Sequence, residues 1–359
     1  MDILEITLLD SYAPTHAIAL ARHGSDVAIA KIPLGPDLVQ IEKFRADLLD
    51  VLRGRGKGTR PTGQQLIQFG RDLFDFLVRD DIGKLYSRLP NTQVSLKILV
   101  NQPALRQLPW EYLQEPNRIS PRRGRSVVRI IPTVGVSALP PLPINHLTRV
   151  LFVYADPQGL TRVSWSDVRD ALLRTYKARF PNSVGIEMVE CTSRDSLGTA
   201  LRRGKFDVVQ FSCHGEVIDN KGTPEGRLIL FDKNKRKLDF MTGKELAQQM
   251  AGHDIRLIVL SACDTSASTS DINFNNIAED LILEGIPTVV ANQAPVQDQT
   301  VAAFVGALYD ELLLSGNIDM AVTAGRLQLA TDLRDSPEWG IPTLYRIHGS
   351  SQMYQQIGI

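Results

Sequence analysis

Two side chains in this 359-residue sequence have the chemistry to break an acyl bond together. "FDVVQFSCHGEV" carries His214, and "RLIVLSACDTS" carries Cys263, 49 residues further on. Histidine titrates near neutrality and can take a thiol proton. The thiolate so formed is a strong nucleophile. A tetrahedral oxyanion then needs donors. Gly215 follows His214 directly, and without a side chain it lets a backbone approach closely, so its N–H is one candidate donor. The N–H of Cys263 is the other. By residue type alone, Cys213, His214 and Cys263 could also hold zinc. Neighbouring residues on a strand point to opposite faces, however, and no fourth ligand is evident. No metal or organic cofactor is expected.

For a thiol and an imidazole to meet, both must stand at one rim of one sheet. Leu257 to Leu260 read as a buried strand, and so does the apolar run before His214. Open parallel sheets bind ligands beyond the carboxyl ends of their strands, and each reactive residue is expected just past such an end. The separation of 49 positions leaves room for a short hairpin, a helix and a return strand. The same rhythm extends in both directions. "TRVLFVYAD", "VGIEMVE", "GRLILFD", "IPTVVANQ" and "TLYRIHG" read as further strands. Between and after them lie helices over "SDVRDALLRTYKARF" with Ser166 as N-cap, "SRDSLGTALRRG" with Ser193 as N-cap and Gly204 as its stop, and "TGKELAQQMAG" with Thr242 as N-cap. "NNIAEDLILEG", "DQTVAAFVGALYDELLLSG" and "NIDMAVTAGRLQLATDL" complete the set. Alternating strands and helices imply a three-layer αβα domain around a mostly parallel sheet.

Upstream lies a different pattern. "ILEITLLD" and "DVAIAKIPL" read as two strands of a sheet or hairpin, and "VSLKILV" and "SVVRIIPTV" as two more. "DLVQIEKFRADLLDVLRG" is an amphipathic helix stopping at Gly54, and "TGQQLIQFGRDLFDFLVRD" a second one capped by Thr62. In "LPWEYL", Trp110 reads as a core anchor and Glu111 as its buried or capping partner. "RGRGKGTRPTG" follows a helix rather than a strand and lacks phosphate-loop spacing, so it reads as a solvated loop. The arginine-rich "NRISPRRGRSVVR" reads as a charged loop entering a strand. The proline-rich "SALPPLPINHLT" should not pair into a sheet and marks a seam. The expected division is a smaller α/β domain over 1–145 and the αβα domain over 146–359.

Composition narrows the function classes. Hydrophobic residues make up 43% and charged residues 22%, ordinary for a globular protein. Net charge is zero, with 40 basic and 40 acidic residues. A dedicated nucleic-acid binder is usually strongly basic, so no direct nucleic-acid contact is expected. No apolar run is long enough for a membrane helix, and the acidic, alternating "MDILEITLLD" does not read as a signal peptide. Three cysteines cannot form a disulfide framework, and in a reducing cytoplasm they are expected as free thiols. Cys191 and Cys213 fall in or beside apolar strands and read as packing.

"FSCHGEV" followed by "LSACDTS" resembles the paired motifs of the CHAT family, caspase-like cysteine peptidases of clan CD. The stretch from "GIPTVVANQAPVQDQTVAAFVGALYDELLLSG" onward and the closing "WGIPTLY" are similar to that family's C-terminal signature. "LPWEYL" and "VVRIIPTV" resemble a segment often found before it, so the likeness covers roughly residues 95–348. It implies a caspase-hemoglobinase fold, His214 as general base, Cys263 as nucleophile, and Gly215 with Cys263 as the oxyanion hole. Relatives such as separase hold a basic P1 side chain with an acidic residue. Asp298 of "APVQDQT" aligns best with that role, and Asp264 is the second candidate. The resemblance further implies a protein substrate, cut in a bacterial defence or cell-death pathway. A regulatory partner would then act through the N-terminal domain, a degenerate caspase-like half or an interaction platform. The alternatives are a scaffold that keeps the motif without catalysis and a thiol hydrolase acting on something other than peptides.

Overall fold

The computed structural model describes residues 2–11, 13–52, 60–89, 94–115, 125–143, 146–157, 160, 163–179, 186–220, 223–232, 236–264, 275–294, 296, 298–332 and 336–355. Its contacts divide the chain into two compact units. One comprises 1–130 and 330–341, the other 131–329 and 342–359. The expected seam at 145 thus lies inside the second unit. Leu142 even forms an isolated bridge to Tyr354, because a single rung needs only the leucine's own backbone groups and not those of the prolines beside it.

In the first unit, β1 (Asp2–Leu9), β2 (His16–His23) and β3 (Asp26–Pro33) form an antiparallel meander. After α1 (Pro36–Leu52), α2 (Gly63–Leu77) and α3 (Asp80–Ser87), β4 (Val94–Val100) pairs parallel to β1. Beyond the short α4 (Pro103–Arg106), β5 (Arg125–Ile130) pairs parallel to β4. Thr62 caps α2 through a reciprocal capping box with Gln65. β2 was not expected. Its "AIALA" core is apolar at every position, which hides the period of two, and only the fold assigns Ala17, Ala19 and Ala21 to the buried face.

"LPWEYL" closes this core. Trp110 to Tyr112 form a 3-10 turn in which all three residues are buried. Arg129 of β5 grips Glu111 with both edges of its fork, Nε to Oε1 at 2.9 Å and Nη2 to Oε2 at 2.8 Å. The same guanidinium donates to the carbonyls of Arg106 and Leu108. Glu111 is buried, as expected, but its charged partner is the Arg129 cation, which the sequence reading did not foresee. Tyr112 packs edge-on against Trp339 of the returning segment, at 4.9 Å between ring centres.

The second unit is a three-layer αβα domain. Its sheet runs β7 (Ile186–Cys191), β6 (Thr148–Tyr154), β8 (Val208–Asn220), β11 (Leu257–Asp264), β12 (Thr288–Asn292), β13 (Pro342–Arg346). All these neighbours are parallel except the β12–β13 pair. The hairpin of β9 (Thr223–Asp232) and β10 (Lys237–Thr242) pairs with the far half of β8. One face of the sheet carries α6 (Arg194–Arg203), α7 (Gly243–Met250) and α8 (Asn275–Leu283), whose apolar residues share a core with alternate strand positions. The other carries α5 (Trp165–Arg179) and α9 (Asp298–Ser315), with an exposed Arg179–Asp310 ion pair at 2.8 Å between them. After α10 (Ile318–Asp332), a fully buried Asp319–Arg346 pair at 3.0 Å anchors β13.

The caps at Ser193, Gly204 and Thr242 are where the sequence places them. The cap expected at Ser166 is not. The first turn of α5 bonds back to the Ser164 carbonyl, which leaves Ser166 inside the helix and brings Trp165 onto the ring of Tyr154 at 4.0 Å. At α7, Thr242 accepts from the Glu245 N–H, and Glu245 accepts in return from Thr242 and from Arg194. The Arg194 guanidinium holds the Glu245 carboxyl below the usual carboxylate range, and the capping bonds add to this. Thr242→Ala should lower stability to urea by about 1 kcal/mol, and a loss under about 0.3 kcal/mol would mean that the cap contributes nothing.

Candidate active site

β8 and β11 lie side by side, with eight residues of each in continuous parallel register from Leu257↔Val208 to Asp264↔Gly215. Cys263 is the rung partner of His214 within that ladder. Adjacent strands are about 4.8 Å apart, so the two backbones are neighbours, and rung partners share one phase of the pleat. The separation of 49 residues in sequence closes to a single rung because α7 and the β9–β10 hairpin occupy the interval between the strands.

Two faces can be told apart on these strands. Phe211 and Cys213 of β8, with Ile258 and Leu260 of β11, join the core beneath α6, α7 and α8. Gln210, Ser212 and His214 take the alternate positions, and Tyr309 of α9 reaches Gln210 on their side. Cys213 is thus turned into the opposite core from His214, which removes it from any shared metal site. Among the described residues, no three His, Cys, Asp or Glu side chains converge to hold a metal.

The structure corrects one part of the sequence reading. His214 and Cys263 do not stand past the ends of their strands but within them. β8 continues to Asn220 because β9 offers it an antiparallel partner, pairing Ile229 with His214 and Leu228 with Gly215. β11 ends one residue after Cys263, and the Asp264↔Gly215 rung is the last of its ladder with β8. His214 is buried. Asp264 ends β11 and Asp298 begins α9, while the side chains of Cys263, Asp264 and Asp298 lie outside the described residues, as does the polar loop 265–274. Of the basic loop expected at 53–63, Arg60 is described, and it pairs with Glu338 at 3.4 Å. Most of the arginine-rich stretch 117–129 falls outside the described residues.

The Cys191 thiol is pushed up to about 11 by desolvation, partly opposed by a hydrogen bond with the Ser196 side chain. It therefore stays protonated at neutral pH. Tyr309 is fully buried, and desolvation pushes its hydroxyl upward, with nearby Tyr354 adding to the effect. It serves as a neutral hydrogen-bonding group.

Sequence reasoning overlooked several neighbours of this rung. Gln210, Ser212 and Ser261 are buried polar residues on the apolar strands that lead to it. The signal was present: polar residues at 210, 212, 214 and 216 alternate with apolar ones. The half-buried Tyr154–Trp165 stack was also missed, with Arg169 over the indole at 5.2 Å. Tyr154 ends β6 opposite Ser212 of β8. From β6 the chain first adds β7 on one side and then β8 on the other. The carboxyl ends of β6 and β8 therefore flank the point where strand order reverses, the usual crevice for ligands in such sheets.

A parallel αβα sheet that presents a histidine and a cysteine as rung partners near its carboxyl edge defines an α/β protein with a candidate thiol–imidazole site. The chain belongs to the CHAT domain family, whose model matches residues 68–354. No curated protein matches the chain. Among solved structures, the Saccharomyces cerevisiae separase–securin complex is similar at 11% identity over 96% of this chain and 30% of that one, with a TM-score of 0.46. The complex of Porphyromonas gingivalis RgpB pro- and mature domains is similar at 9% identity over 88% and 78%, with a TM-score of 0.47. The chain spans about a third of the separase chain it matches. No described helix is long and apolar enough to cross a membrane.

Proposed function

We propose that this chain is a cysteine endopeptidase that cleaves a partner protein through a His214–Cys263 dyad. The observation that carries the reading is the rung shared by these two residues near the carboxyl edge of a parallel sheet, beside the point where strand order reverses. In the proposed reaction His214 takes the Cys263 proton and the thiolate adds to the scissile carbonyl carbon. The N–H groups of Gly215 and Cys263 receive the oxyanion, favoured by the ending of the β8–β11 ladder at the Gly215 rung. Collapse of this adduct breaks the C–N bond, and the imidazolium gives its proton to the departing amine. Water, deprotonated by His214, then splits the thioester to a carboxylic acid and regenerates the thiol. The dyad needs no metal for any of these steps.

A basic P1 side chain would be read by the carboxylate of Asp298, with Asp264 as the second candidate. The remaining parts of the reading follow from family membership: action in the cytoplasm within a bacterial defence or cell-death pathway, under a regulatory partner docked on the first unit. One experiment tests the core of it. Iodoacetamide at pH 7.5 should modify Cys263 well before Cys191 and Cys213, both of which are buried. The modified protein should lose all cleavage of a peptide library that the untreated protein cuts after Arg or Lys. Preferential labelling of Cys191 or Cys213, or cleavage that survives full modification of Cys263, would refute the assignment. Cleavage indifferent to Arg or Lys would remove the role given to Asp298 and Asp264.

A further inference from the structure

We infer that Gln210 is the positioning residue of this site: its buried amide, gripped by Tyr309 and bonded to Ser261, fixes the register that seats position 263 beside His214. The inference rests on reading His214 and Cys263 as a dyad. Gln210 is fully buried near the middle of the sheet. Its Nε2 donates to the Ser261 hydroxyl at 3.0 Å and to the Phe211 carbonyl at 3.0 Å, and its Oε1 accepts from the Tyr309 hydroxyl at 3.3 Å. Both ends of the amide are thus engaged, across two strands and the helix above them.

The direction of the bond matters. The rung partner of Gln210 is Val259, not Ser261. The amide therefore reaches diagonally toward the carboxyl edge, to the rung where Ser261 faces Ser212. The next rung in the same pleat phase is Cys263–His214 itself. Such diagonal neighbours are within reach of long side chains on paired strands.

Apolar burial alone gives this pair of strands a poorly defined register. "VVQF" and "LIVL" are nearly continuous apolar runs, and the backbone bonds of parallel strands are evenly spaced. A slip of one residue turns every side chain to the other face and is strongly opposed. A slip of two keeps the faces and is opposed far less, yet it would carry Cys263 about 7 Å from its partner. Only a specific polar contact tells those registers apart. An amide flanked in the sheet by Phe152 and Val259 is costly to bury unless its bonds form. The bond to Ser261 is the one that crosses to β11, and it has its diagonal geometry in the observed register, so a slip that carries Ser261 away leaves the amide without it. Buried polar residues set register in the same way at helix interfaces.

The test uses the intact chain. Gln210→Leu keeps the bulk and removes the amide, while Ser261→Ala removes only the acceptor. Each folded variant, and the double variant, is compared with the wild type by amide hydrogen exchange and by the rate of Cys263 alkylation across pH. Protection over 211–215 and 260–263 should fall at least about tenfold in each single variant, with the double variant no worse than Gln210→Leu. Alkylation at neutral pH should slow, its profile moving toward that of a free thiol. The peptide kcat should drop by about 100-fold, the scale of a 1 Å misplacement, with KM unchanged. Ser261→Ala keeps the test decisive if Gln210→Leu does not fold. Exchange and alkylation superimposable on the wild type in the folded variants would overturn the inference. If wild-type Cys263 alkylates like an ordinary thiol, the dyad reading fails instead. Exchange alone then decides whether the amide fixes the register.

Discussion

Cys263→Ala is expected to lower peptide hydrolysis by about 10,000-fold or more, His214→Ala by a similar factor, and the double variant by no more than either alone. The reason is that a nucleophile and its base act as one unit. Without the imidazole the thiol is mostly protonated at neutral pH, and without the thiol the imidazole has nothing to activate. The measurement is initial-rate hydrolysis of a peptide that the wild type cuts, on variants whose circular dichroism matches it. Effects that multiply in the double variant would separate the two residues into independent roles. Partner-dependent activity that persists undiminished in Cys263→Ala would return the chain to the scaffold reading.

Arg129→Met is expected to destabilise the first unit by about 3–5 kcal/mol. Glu111 lies wholly inside the protein, and the Arg129 fork meets both of its oxygens. Removing the cation leaves a buried carboxylate without its counter-charge, and the carbonyls of Arg106 and Leu108 lose a donor as well. Replacing both residues with apolar ones of similar size, Glu111→Leu with Arg129→Met, should recover much of the loss, because nothing charged is then left in the core. Urea unfolding of the single and the double variant checks this. A single variant within about 1 kcal/mol of the wild type would show that the pair makes no net contribution.

The parts of the fold that were legible in the sequence are those with strong local signals. The helices at Ser193, Thr242 and Thr62 announce themselves through caps that satisfy their first amides. The parallel strands of the second unit do so through apolar runs buried on both faces. Elements with weak or ambiguous patterns were not legible. β2 is apolar throughout. α3 spans only 8 residues, and β10 is a short strand carrying charge. The start of α5 was ambiguous because Ser164 and Ser166 both suit an N-cap, and the stacking of Trp165 on Tyr154 accompanies the earlier one.

His214 and Cys263 were singled out from residue type and spacing, whereas their relation to the strand ends was not legible. A strand continues wherever a neighbour offers it hydrogen bonds, and the partner that carries β8 on to Asn220 folds back from residues 223–232. By itself the sequence determined the chemical identities, the αβα class and the two motifs, since these depend on local propensity and side-chain chemistry. Only the tertiary structure decided that a separation of 49 positions closes to one rung, that Cys213 faces the opposite core, and that Gln210, Ser261 and Tyr309 meet below the site. Register and convergence are properties of pairs of segments, and no single segment carries them.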